Sequence, residues 1–160
     1  MEAKLTKLIQ SQINWELYSA YAYYYIAEYY RSKGLNGFHT YFEKHAGEER
    51  QHAEKFSEYL QDHDIPVKLE SINVLDKKFA SLRDPLVFFV EHEKEVTSLI
   101  HQIYRAAREQ DDIETRNFLT FFITEQSEEE KTATDLLTNY DLFAKEGGIG
   151  LYQRDKDLAK

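Results

Sequence analysis

Six residues carry chemistry by their type and spacing: Glu16, Glu49, His52, Glu93, Gln126 and Glu129. Glu16 precedes Glu49 by 33 residues, and Glu93 precedes Gln126 by 33. His52 follows Glu49 by three positions, as Glu129 follows Gln126, so an offset of 77 superimposes one set on the other. The two halves share little other sequence, so the repeat is one of site geometry. Four carboxylates gathered in a partly dry space, with no internal lysine or arginine, would cost several kcal/mol each. Two divalent cations set four positive charges against them. Oxygen ligands with one imidazole suit Fe(II) or Mn(II) better than a soft metal. Glu49 is the natural bridge between two ions, with His52 one turn along on the same helix face. A polar layer that only fixes helix register would need one or two such groups, not four like charges.

Helices must position these residues. Two prolines and six glycines in 160 residues favour long uninterrupted helices. Periodicity predicts helices over about 4–32, 37–63, 85–110 and 113–145, and a short one over about 150–159, all in one domain spanning 1–160. Asn36, Asp84 and Asp112 read as N-caps, with Pro85 in the first helical position. Each long helix carries an inward seam in steps of four and three. These seams read Ile9, Ile13, Glu16, Ala20, Tyr23, Ala27, Tyr30; then Phe38, Phe42, His45, Glu49, His52, Phe56, Tyr59, His63; then Leu86, Val90, Glu93, Thr97, Ile100, Tyr104, Ala107; then Thr115, Leu119, Phe122, Gln126, Glu129, Ala133, Leu136, Tyr140. The third seam has room to shift locally to Val96.

Short links make the first and second helices one antiparallel hairpin and the third and fourth another. The link between hairpins, Asp64 to Arg83, is far longer than neighbouring antiparallel helices need. An extended stretch of about 20 residues covers roughly 65 Å, against about 42 Å for a helix of about 28 residues. The link can therefore cross the whole bundle, with Ile65, Val67 and Leu69 alternating against the helices. The expected fold is all-α: an antiparallel four-helix bundle with one long crossover and a short C-terminal fifth helix. Residues equidistant from a hairpin turn lie side by side, so all six polar groups converge at one height near mid-helix.

Composition excludes other chemistries. Cysteine is absent, so thiolate zinc sites, disulfides and cysteine nucleophiles are ruled out. The one methionine is Met1, so no internal thioether can hold a haem, and no haem is expected. A formal charge of −9 argues against a general grip on nucleic acid or an anionic membrane. No window approaches 18 apolar residues, and the first twenty residues lack the apolar stretch of a secretory signal. A cytoplasmic protein without nucleic-acid or membrane partners is the expectation.

Taken together, the motifs resemble those of the bacterial non-haem ferritins, within the ferritin-like di-iron carboxylate family, along almost the whole chain. They are Asn14-Trp-Glu-Leu-Tyr18, His45-Ala-Gly-Glu-Glu-Arg-Gln-His52, Glu91-His-Glu93 and Glu125-Gln-Ser-Glu-Glu-Glu-Lys131. The resemblance implies that Glu16, Glu49 and His52 hold one iron and that Glu49, Glu93 and Glu129 hold a second, with Gln126 close by. It implies a ferroxidase that passes electrons from Fe(II) to O2 or H2O2. It also implies a homo-oligomeric shell of 24 subunits storing a ferric oxide-hydroxide mineral. Glu48, Glu125 and Glu128 form an adjacent acidic face that in similar ferritins makes a third iron site, sharing Glu129. Tyr23, two turns beyond Glu16 on the seam, matches a tyrosine that hydrogen-bonds near the irons and can supply an electron. His45 and His63 read as structural histidines, and His92 as lying outside the bundle. Two rival readings are a DNA-protecting mini-ferritin that detoxifies peroxide and a non-catalytic helical-bundle interaction protein. The single Glu-x-x-His motif separates the chain from haem-binding bacterioferritins, and the missing cysteines separate it from rubrerythrins.

Overall fold

The computed structural model describes residues 1–160 as five helices and no strand. They are α1 (Ala3–Ser32), α2 (Asn36–Asp62), α3 (Asp84–Glu109), α4 (Ile113–Phe143) and α5 (Gly148–Leu158). Contacts fix the directions. His39 on α2 meets the carbonyl of Ala27 on α1, and Glu49 lies beside Glu16. Arg83 before α3 pairs with Asp141 near the end of α4, and Glu93 meets Gln126. Both hairpins are therefore antiparallel. Between them, α1 runs antiparallel to α3, with Lys4 near Glu109 and Ser19 near His92. Likewise α2 runs antiparallel to α4, with Tyr59 on Thr115 and His45 near Glu129.

The crossover lies along the outer polar face of α1. Gln10 donates to the carbonyl of Pro66 and accepts from the N–H of Lys68, and Asn14 does the same for Lys68 and Glu70. Farther up, Tyr25 and Tyr30 donate to the carbonyls of Lys77 and Leu82. Ile65 and Val67 pack against the core, but Leu69 is 70% exposed. The expected alternation thus ends after Val67, where hydrogen bonds to Asn14 take over the docking. Leu75 is the one residue in this stretch that becomes buried again.

Two apolar clusters fill the bundle, one on each side of the polar layer. One contains Ile9, Ile13, Phe56, Leu60, Ile100, Leu119 and Phe122. The other contains Tyr23, Tyr30, Phe38, Phe42, Phe89 and Leu136. All eight seam residues of α4 are buried. The α3 seam is rotated from its expected phase: Phe89, Val96 and Ile103 are buried, while Val90, Thr97 and Tyr104 are half-buried. Phe89 is drawn in by an edge-on packing with Tyr23 and Phe42, at centroid distances of 5.3 and 5.2 Å.

The helix starts follow distinct rules. Asp112 caps α4, accepting from the Thr115 N–H at 2.9 Å and from its hydroxyl at 2.8 Å. Asp84 instead begins α3, and its carboxylate turns back to accept from the N–H groups of Ala80 and Ser81. Asn36 is the first residue of α2, so Leu35 occupies the cap position and supplies no side-chain cap. The missing acceptor comes from α5, where Asp155 Oδ1 accepts from the Phe38 N–H at 3.0 Å. A Cβ on Gly37 would lie 1.6 Å from the Asp155 carbonyl oxygen, so only glycine permits α5 to dock there.

Candidate metal centre

Each bundle helix contributes to one buried polar layer. Glu16 comes from α1, Glu49 and His52 from α2, Glu93 from α3, and Gln126 and Glu129 from α4. All six are buried, and Glu93 is completely so. The three-residue spacing puts Glu49 and His52 on one face, with His52 Nδ1 at 3.2 Å from Glu49 Oε2. Glu16, Glu49 and His52 each direct one potential ligand atom to a common point, all within 4.8 Å of one another. Gln126 Nε2 donates to Glu93 Oε2 at 3.0 Å and to its carbonyl oxygen at 3.2 Å. Tyr23 donates its hydroxyl proton to Glu93 Oε1.

Sequence reasoning passed over several partners of this layer. Gln12, one turn before Glu16, is buried and donates to Glu16 Oε1 at 2.7 Å. The i,i+4 spacing was the available signal. The other oxygen, Glu16 Oε2, is buried without a hydrogen-bond partner. Thr97 accepts from Gln126 at 3.3 Å. His92 does not lie outside the bundle: it is 6% exposed, and its Nε2 is 2.7 Å from Ser19 Oγ. Its ring stacks between Trp15 and Phe88, with centroids at 5.5 and 5.2 Å. The rotated α3 seam brings it in. Burial pulls its pKa down to about 4, so it stays neutral and no cation is added beside the carboxylates.

The carboxylates are electrostatically strained. Burial and the neighbouring Glu49 charge push Glu16 well above the usual carboxylate range. Burial and Glu93 do the same to Glu49. Burial raises Glu93 to about 7, although hydrogen bonds from Tyr23 and Gln126 pull the other way. No lysine or arginine is among the buried residues. Buried acidic groups with raised pKa values and an orphaned oxygen are groups whose charged forms a bound cation would stabilise. The donor set, four carboxylates and one imidazole, fits hard or borderline divalent ions such as Fe(II).

A second group adjoins the first. His45, Glu48 and Glu129 also offer ligand atoms within 4.8 Å of one another. His45 Nε2 is 3.4 Å from Glu129 Oε2 and 4.0 Å from Glu48 Oε2. The first contact is close enough for an ion pair, yet Glu129 Oε2 has no aligned hydrogen bond. Position along the chain marks His45 only as a structural histidine, because Glu129 reaches it only through the packing of α4 on α2. Glu125 is half-buried and Glu128 exposed, and neither joins this group. His63, at the end of α2, lies 3.2 Å from Glu114 and remote from the layer.

Comparison with known proteins identifies the family. The ferritin-like domain family matches residues 6–143. A probable bacterial non-heme ferritin-like protein of Haemophilus influenzae is 32% identical over 158 residues, covering 99% of this chain and 95% of that protein. A bacterial non-heme ferritin of Campylobacter jejuni is 31% identical, covering 98% and 93%. An open pore ferritin from the hyperthermophilic archaeon Archaeoglobus fulgidus superimposes with a TM-score of 0.96 at 33% identity, over 99% of this chain and 96% of that one. On fold, motifs and sequence alike, the chain belongs to the family of ferritin-like domains.

Proposed function

We propose that this protein stores iron by oxidising Fe(II) to Fe(III) at the polar layer inside its own bundle. The observation that carries the reading is the burial of Glu16, Glu49, Glu93 and Glu129 at one level with His52 and without any buried lysine or arginine. Fe(II) is the substrate, two ions to a subunit. Glu16 and His52 bind the first, Glu93 and Glu129 the second, and Glu49 bridges them. Dioxygen or hydrogen peroxide accepts the electrons. The protons that the raised carboxyls of Glu16, Glu49 and Glu93 hold are released as Fe(II) takes their place. Anionic carboxylates then favour the more highly charged product, which lowers the barrier to electron loss.

Tyr23 keeps Glu93 oriented through its hydroxyl, and in this reading it supplies an electron to the dioxygen or peroxide being reduced while its proton passes to Glu93. Glu48, Glu125 and Glu128 carry the acidic surface outward from Glu129, which supports a third Fe(II) position beside the pair. The relatives are named as ferritins, and one solved neighbour is described as an open pore ferritin. That supports a homo-oligomeric shell, of 24 subunits in our reading, that collects Fe(III) as a ferric oxide-hydroxide mineral. No helix is long and apolar enough to cross a membrane. A mini-ferritin reading fits poorly, because the ligand set here is complete within one bundle.

Aerobic addition of Fe(II) tests the proposal. A fast rise in ultraviolet absorbance, absent in Glu49→Ala, is expected, with the protein migrating as a very large particle. A small monomer that oxidises Fe(II) no faster than buffer would overturn it.

A further inference from the structure

Glu16 and Glu93 take equivalent places in the repeat, yet the protein holds them differently. Glu93 has both oxygens engaged, Oε1 by the Tyr23 hydroxyl and Oε2 by the Gln126 amide at 3.0 Å. Glu16 has one engaged and one free. Gln12 Nε2 donates to its Oε1 at 2.7 Å, and its Oε2 is buried with no hydrogen-bond partner. The offset of 77 that pairs Glu16 with Glu93 pairs Gln12 with Phe89. The amide on Glu16 therefore has no counterpart one turn before Glu93 and belongs to the first hairpin alone.

Gln12 is itself fixed in place. It is 2% exposed and lies one turn before Glu16 on α1, in a groove between α1 and α3 walled by Leu8, Trp15, Leu99 and Ile103. The bond to Glu16 is the one hydrogen bond its side chain makes. An ionised carboxylate only accepts, so the amide nitrogen is the atom that faces it. The terminal torsion of a glutamate is soft, with no sharp preferred angle. A short bond to the ionised form, between two buried groups, sets that angle.

We propose that Gln12 is a positioning residue that makes Glu16 a single-oxygen ligand. This rests on the reading of the buried pair. With Oε1 retained by the amide, Oε2 alone is left to the point that Glu16 shares with Glu49 and His52. A carboxylate that chelates through both oxygens fills two places around an ion, and one that binds through a single oxygen fills one. The place so spared on the first Fe(II) is where dioxygen or hydrogen peroxide approaches. No proton or electron passes through Gln12; its effect lies in the geometry of the ligand.

Crystals of the wild-type protein soaked in Fe(II) without oxygen test the assignment and need no variant. An ion bonded to Glu16 Oε2 is expected, with Oε1 still within hydrogen-bond distance of Gln12 Nε2. Both oxygens on the ion, or an amide turned away from Glu16, would overturn the proposal while leaving the buried pair intact. No anomalous peak beside Glu16, Glu49 and His52 would overturn the pair as well, so the two failures read apart. Gln12→Met keeps the length of the side chain and removes the donor. In soaked crystals of this variant Glu16 should bind through both oxygens. In stopped flow its oxidation at saturating Fe(II) should be about tenfold slower, the scale set by losing a hydrogen bond that orients a ligand. Single-oxygen binding that persists in Gln12→Met, or a rate within twofold of wild type, would refute the positioning role.

Discussion

Gln126 Nε2 donates to Glu93 Oε2 at 3.0 Å and, with the same amide, to the Glu93 carbonyl oxygen at 3.2 Å. The offset repeat puts Gln126 where the first hairpin has Glu49. The side chain that breaks the symmetry of charge therefore acts as a clamp on a carboxylate. Gln126→Leu keeps the approximate volume and removes the donor. Iron oxidation in this variant should slow by about tenfold, the scale set by losing a hydrogen bond that orients a ligand. Stopped-flow absorbance with the assembled protein gives the comparison, and a rate within twofold of wild type would refute the clamp.

The carboxyl of Glu93 sets a pH dependence. Its folded-state pKa, raised by burial to about 7, lies above the unfolded value of about 4.3. Folded protein keeps a proton that unfolded protein releases between those two values. Stability of the metal-free protein therefore falls as pH rises from about 4.3 to about 7, and the shifts of Glu16 and Glu49 act in the same direction. Glu93→Gln removes its share. Its melting temperature, relative to wild type, should climb between pH 5 and pH 8, as thermal unfolding in chelator will show. A constant difference across that range would contradict the sign.

Glu49→Ala should separate stability from function. Truncation takes away the carboxylate that crowds Glu16 and is itself crowded by Glu93. In chelator at pH 8 the variant should melt no lower than wild type, despite the cavity. Saturating Zn(II) should raise the wild-type melting temperature, whereas the variant should gain far less, since stabilisation by a ligand follows its affinity.

Asp155 and Gly37 make the docking of α5 testable. Asp155→Ala removes the acceptor for the Phe38 N–H and should cost about 1 kcal/mol, the usual value of an N-cap. Gly37→Ala places a Cβ 1.6 Å from the Asp155 carbonyl oxygen, so α5 must move off α2. Protease cleavage within residues 148–158 should accelerate in Gly37→Ala, and fast iron oxidation should persist. Unchanged cleavage would mean that α5 yields without detaching.

Much of the fold was written in local pattern. The α4 seam from Thr115 to Tyr140 is buried as its periodicity implied, because its apolar positions and the polar Gln126 and Glu129 recur in steps of three and four along one stripe. The α3 seam was harder to phase. Phe88, Phe89 and Val90 offer apolar groups on adjacent faces, so spacing alone could not choose among them. Packing of Phe89 on Tyr23 and Phe42 made the choice and carried His92 inside with it.

By itself, the sequence determined the helices, the crossover and the level at which the six polar residues meet. These depend on helical periodicity and on distance from a hairpin turn, both of which are counted along the chain. Tertiary structure alone decided the partners. Glu129 beside His45, Tyr23 on Glu93 and Asp155 on the first turn of α2 each join different helices. The rotation of each helix about its axis and the side-chain angles that complete such contacts follow from packing against neighbours distant in sequence. A count of residues along one helix carries no record of those neighbours.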